Sequence, residues 1–211
     1  MRSARSFFSA TRPPKLPIVL ACAGLCDTAA TQPGPDSVDW SADRPLVWSD
    51  FRGPVDPQAA PRTAAETASS LEFGYSLQVE RAGNDCVFEI AEVRTRATFE
   101  PRASWVRQGQ RSAEVLEHEQ GHFDLTQVHR LMLERDTRAL VGDERRCSDD
   151  DSMAEIETKA DELVAPMRDR IWQNLQSVQA QYDAETQHGL LREAQQEWSA
   201  RIDEALRRGR W

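Results

Sequence analysis

Histidine is scarce in this chain, with four among 211 residues. Cysteine is equally scarce at four, which excludes the disulfide-dense scaffold that many small secreted domains rely on. A basic excess is missing. The formal net charge is −9, and without a basic face a nucleic-acid partner is excluded, because phosphate binding requires one. No apolar run approaches the roughly 18 residues of a membrane-spanning helix, and no internal repeat is visible. What is present, 39% hydrophobic and 29% charged residues, is a globular balance over a length that supports a sizeable core.

The N-terminus has the pattern of an export signal. Arg2, Arg5, Arg12 and Lys15 precede the short apolar run "LPIVLACAGL" at 16–25, and small residues follow. That order of basic, apolar and small segments describes a secretory signal over residues 1–30. The protein is therefore expected outside the cytoplasm, periplasmic or secreted. A lipid anchor at Cys22, after Ala21, is the alternative and the only route to a membrane. With Cys22 and Cys26 in the signal, Cys86 and Cys147 remain as an even pair, and in an oxidising compartment they are expected to form a disulfide. Neither has a cysteine partner at short spacing, so a thiolate metal site is not expected.

Residues 31–45, rich in Pro, Gly, Asp and Ser, are expected to be a flexible linker, and residues 46–211 a single domain. "RPLVWSDFRGPV" at 44–55 is strand-like. "LEFGYSLQVE" at 71–80 alternates, with Leu71, Phe73, Tyr75, Leu77 and Val79 on one side. "GND" at 83–85 signals a turn, and 86–99 alternates more loosely, so the two runs predict a hairpin. Residues 112–141 contain no proline and predict a helix. A second helix is predicted over 153–181, interrupted or kinked near Pro166, and a third over 190–206. The fold class is α+β, an antiparallel hairpin or sheet followed by a helical half.

Two of the four histidines fall in "LEHEQGHFDL" at 116–125. Residues four apart share a helix face, so the imidazoles of His118 and His122 can converge on one ion. Glu119, turned about 100° from His118, can reach a water beside that ion. An H-E-x-x-H helix of this zincin-like kind suits a zinc ion (Zn2+) whose bound water is activated for attack on an amide, with Glu119 as general base. Gly121 costs about 1 kcal/mol inside a helix relative to alanine, which suggests close approach of a ligand or of packed structure.

A third ligand is needed. His129 lies on the same face but roughly 10 Å farther along the helix, and belongs to the helix surface or to the ligands' surroundings. His188, between two helical stretches and followed by Gly189, is the first choice. Asp183 follows, as a ligand or as the carboxylate that orients an imidazole. Glu157, with Asp161 one turn later, is third. Tyr182 is a candidate hydrogen-bond donor to the oxyanion of a tetrahedral intermediate, or else a core residue.

Together, "LVWSDFRGP", "TFEPRASW", "HEQGHFD", "YDAETQHG" and the Cys86–Cys147 pair resemble a bacterial family of predicted secreted zinc-dependent proteases, defined by a domain of unknown function. The resemblance covers roughly residues 46–200. It implies peptidase chemistry on a peptide or protein substrate, supports His188 as partner of His118 and His122, and suggests a role near the metal for Asp124 or Asp183.

Two functions follow. One is an exported metallopeptidase. The other is a cell-envelope binding or structural protein whose metal is not catalytic, with Trp172, Trp198 and Trp211 as candidate contacts. Glu119 separates them, because a structural zinc site closed by four ligands has no use for a positioned base.

Overall fold

The computed structural model describes residues 37–211. The expected export signal, Cys22 and the first part of the linker lie outside the described residues. In chain order the elements are β1 (Val38–Asp39), a 3-10 turn (Trp48–Asp50), β2 (Ala65–Glu66), β3 (Ser69–Ala82), β4 (Asp85–Phe99), β5 (Trp105–Val106), α1 (Ala113–Arg138), β6 (Arg145–Cys147), α2 (Met153–Thr186) and α3 (Arg192–Arg208). An antiparallel sheet followed by three helices makes the fold α+β.

The predicted hairpin is β3 and β4, closed at Ala82 and Asp85 by a two-residue loop in which Gly83 has φ 62°. That positive φ is the conformation for which such loops select glycine. The loose alternation of β4 has a physical cause. Ser76 pairs with Glu92 and Leu77 with Ile90, so Ala91 is an extra residue and the inward parity switches. Cys86, Phe88 and Ile90 point inward before it, and Ala97 and Phe99 after it. β1 and β6 pair with the free side of β4 at its opposite ends, while β2 and β5 form a separate two-stranded sheet. Cys86 and Cys147 face each other across β4 and β6 and are joined by a disulfide.

The fold begins earlier than the expected linker boundary at residue 45. Val38 pairs with Phe99, and the indole N–H of Trp40 donates to Asp124 Oδ1 at 2.7 Å. The backbone N–H of Leu46 donates to Gln120 Oε1 at 2.7 Å. The polar run hides these anchors. The strand-like segment that follows holds the 3-10 turn instead. Asp50 accepts the N–H of Val47 at 2.9 Å and pairs with Arg44 at 2.8 Å, and these local bonds prevail over β propensity.

α1 starts at Ser112, whose side chain accepts the N–H of Val115. α2 starts at a capping box between Ser152 and Glu155, and runs without interruption past Pro166. The expected break there is absent, because both halves of α2 are held by burial. Ile156, Ala160 and Val164 pack on Leu77, Phe88 and Ile90 of the hairpin. Leu175, Val178 and Tyr182 pack with Leu125 of α1 and with Trp198 and Ile202 of α3. A third cluster joins Leu46 and Phe51 to Phe99 and Phe123. α1 is the central helix, in contact with β3 and β4 and with both α2 and α3. Trp198 is a core residue, whereas Trp172 and Trp211 are partly exposed.

Candidate metal centre

One face of α1 presents His118 and His122, whose Nε2 atoms lie 3.1 Å apart. The last turns of α2 bring Asp183 against them, with its Oδ1 3.1 Å from Nε2 of His118 and 3.0 Å from Nε2 of His122. Among the described residues these three form a group with metal-ligating geometry. His188 stands at the rim, its side chain 53% exposed and its Nδ1 3.1 Å from the same Asp183 oxygen. The structure thus brings Asp183 between the histidine pair and His188. Burial opposes the charge of Asp183, but hydrogen bonds to His118 and His122 outweigh it and hold the carboxyl well below the usual carboxylate range. For His122, burial again opposes charge, and the neighbouring Asp183 and Glu119 outweigh it, so its pKa is raised.

The other nitrogen of each imidazole faces a glutamine. Nδ1 of His118 lies 3.2 Å from Gln195 Oε1 of α3, and Nδ1 of His122 meets Gln179 Oε1 of α2. The sequence reading missed both. Gln179 is four residues before Asp183, a spacing that puts it on the same helix face. Gln195 sits on another helix and carries no local signal.

Glu119 is buried, and its Oε2 has no hydrogen-bond partner among the described residues. Burial pushes its pKa up, with His122 and His118 pulling the other way. It opens, with the histidines, on a cleft of about 400 Å³. The stretch 63–69 forms one wall, and Gln176, Gln179, Asp183 and His188 form the other. Thr67 of the first wall donates to the backbone carbonyl of Glu119 at 3.2 Å.

The chain leaves α2 through three successive residues of positive φ, Gln187 (49°), His188 (55°) and Gly189 (80°). The first two are not glycine, and each costs of order 1–2 kcal/mol in that region. The turn is held by the N–H of Gly189 donating to Thr186 Oγ1 at 3.2 Å and by close packing on His118. A Cβ at position 189 would stand 2.8 Å from Cβ of His118. The strain therefore sits where the loop closes over the centre.

Residues 48–189 match the family model for a bacterial protein of unknown function, DUF922. The chain belongs to that family. No curated protein and no solved structure matches it. The DUF922 match contains the histidine pair, Glu119, Asp183 and His188, and ends at Gly189, so α3 with Gln195 lies beyond it.

Other expected site residues are placed elsewhere by the DUF922 chain. Tyr182 is fully buried and stacks on His118, with ring centroids 4.5 Å apart. Its hydroxyl donates to the carbonyl of His118 at 3.2 Å, so it braces the histidine helix and is not free to meet an oxyanion. Burial pushes its pKa far up. Asp124 accepts from Trp40 and Gln120, both at 2.7 Å, and anchors the N-terminal segment rather than the centre. Glu157 lies 26 residues before Asp183 on the same helix, roughly 39 Å away along its axis, which is too far for a ligand. His129 is fully buried rather than on the helix surface. Its Nδ1 donates to the Leu125 carbonyl at 2.7 Å, and its Nε2 lies 2.9 Å from the side-chain amide of Asn174.

Proposed function

We propose that this protein is an exported zinc-dependent metallopeptidase, with His118, His122 and Asp183 holding the ion and Glu119 as general base. The observation that carries this reading is the meeting of three ligand-type atoms. Both Nδ1 atoms face glutamine oxygens, and both Nε2 atoms converge with a carboxylate oxygen at 3.0–3.1 Å, where a bound cation would take the place of the Nε2 protons. Such a group is satisfied by a cation in its midst, and two imidazoles with a carboxylate suit zinc. The unpartnered, buried Oε2 of Glu119 beside it supports a group kept for a reacting proton over a purely structural site, since an orphaned buried carboxylate oxygen is otherwise a cost.

When bound, the ion supplies Lewis acidity, which favours a deprotonated water and polarises a carbonyl. The rest is done by the chain. Glu119 takes a proton from the attacking water and returns it to the departing amine nitrogen, so that water adds across the broken C–N bond. Residues 63–69 and α2 confine an extended peptide between them. His188 holds Asp183 from the solvent side.

The test combines elemental analysis with a peptide-library digest. About one zinc per chain is expected in the wild type and in Glu119→Gln. Asp183→Ala loses the metal, and His188→Ala keeps it with weaker binding. Cleavage is expected from the wild type and absent from Glu119→Gln. Zinc lost in His188→Ala but retained in Asp183→Ala would make His188 the third ligand. A wild type that takes up no zinc would overturn the reading. Zinc uptake with no cleavage of any substrate would favour a non-catalytic metal site in an envelope protein.

A further inference from the structure

We propose that Gln179 and Gln195 are positioning residues that fix the tautomers of the histidine pair, and that α3, outside the family match, thereby controls metal affinity. The inference rests on the metal-centre reading for its consequence, but not for its geometry. A glutamine amide can be placed either way round, and here the neighbours decide. Tyr182 donates its hydroxyl proton to the His118 carbonyl at 3.2 Å. The phenol oxygen is then an acceptor, and Gln195 Nε2 donates to it at 2.7 Å. The Gln195 oxygen is left facing Nδ1 of His118 at 3.2 Å. A carbonyl oxygen only accepts, so Nδ1 must carry the proton. Thr186 Oγ1, 3.4 Å from the same nitrogen, spends its proton on the Tyr182 carbonyl at 2.7 Å and also can only accept.

His122 is fixed by the same logic on a shorter circuit. Gln179 Nε2 donates to the His122 carbonyl at 3.1 Å, which turns the Gln179 oxygen to Nδ1 of His122. Gln179 therefore reads the backbone of His122 directly, and Gln195 that of His118 through the Tyr182 hydroxyl. Both Nε2 atoms are left for the cluster, where they bond Asp183 in the metal-free protein and would hold the ion once it is bound. Gln195 is 4% exposed, so water does not compete for its amide. Both partners are neutral carboxamides, where metal-bound histidines are often oriented by carboxylates. The only formal negative charge among the three ligands is then that of Asp183, which leaves a divalent ion with net positive charge.

Histidine 15N spectra of the full-length protein, metal-free and with zinc added, test this alongside zinc affinity from competition with a chelator. Both rings are expected to carry the proton on Nδ1 in the wild type, with and without the ion. Gln195→Leu, of similar volume, should release Nδ1 of His118 alone, and Gln179→Leu that of His122 alone. Each should weaken zinc binding by roughly 10- to 100-fold. Gln195→Glu retains an acceptor and should restore the tautomer that Gln195→Leu loses, which a purely packing role would not do. Unchanged tautomers in both leucine variants, or an Nε2 proton with a bare Nδ1 in either wild-type ring, would overturn the proposal. A wild type that binds no zinc removes the metal reading, while the metal-free spectra still decide the roles of the glutamines.

Discussion

Gly121 lies against the hydroxyl end of Tyr182, so close that a Cβ at position 121 would stand 2.8 Å from the Cζ of the phenol. The glycine inside the histidine helix is therefore a packing feature. It lets α2 approach α1 closely enough for Asp183 to reach the histidines. Gly121→Ala would push back a fully buried ring, and overpacking of this kind costs about 1–3 kcal/mol. A lowered denaturant midpoint together with weaker zinc binding is expected. An unchanged midpoint would show that α2 can move away without cost.

The cleft is expected to discriminate by charge. Among the described residues lining it there is no lysine or arginine, and Glu66 lies on its wall. A divalent ion would offset Asp183 and Glu119, leaving Glu66 as the uncompensated charge. Peptides with a basic residue near the cleaved bond should be preferred over acidic ones by about two- to fivefold, the range an exposed charge pair supports. Glu66→Lys should reverse the order, and the preference should fade as salt rises. Cleavage-site counts from a mixed library would show it.

His129 should give the fold a pH dependence of its own. Burial pushes its pKa down, against the opposing hydrogen bonds to the Leu125 carbonyl and to Asn174. The unfolded chain then binds the proton more readily than the folded one. The stabilising contribution is fully present above the unfolded value of about 6.5 and is lost as pH falls through the lower folded value. Denaturant midpoints measured from pH 7 down to 5 should fall less steeply for His129→Gln than for the wild type.

The disulfide ties the edge strand β6 to the start of β4 across a separation of 61 residues. In the chain-entropy model, closing such a loop contributes roughly 4 kcal/mol. The Cys86→Ala/Cys147→Ala double variant should lose stability on that scale, by denaturant titration. The loss belongs to the end of the hairpin, and zinc binding should survive it in whatever fraction remains folded.

Much of this was legible without coordinates. Alternation from Leu71 to Val79 marked β3 and its buried face. The absence of proline from 112–141 marked α1, and the even cysteine pair marked the cross-strand bond. The weak alternation of β4 was itself information, since a single extra residue at Ala91 changes the inward parity. Two local readings gave way to other forces. The linker boundary was late because Val38 pairs with Phe99 of β4 and Trp40 finds Asp124 on α1, and Pro166 did not break α2 because both halves are buried.

The centre divides along the same line. The sequence by itself determined that His118, Glu119 and His122 share a helix and that His118 and His122 share one of its faces, because helical periodicity is a local property. It also kept Asp183 and His188 as candidates through their loop-flanked segment. Only the tertiary structure decided that Asp183 meets the pair while His188 stands behind it, that Tyr182 braces the helix from within, and that Gln195 reaches His118 from a third helix. Those choices depend on how closely α2 and α3 pack on α1, which is set by Gly121, Tyr182 and Trp198 acting together across the core and by no spacing along the chain.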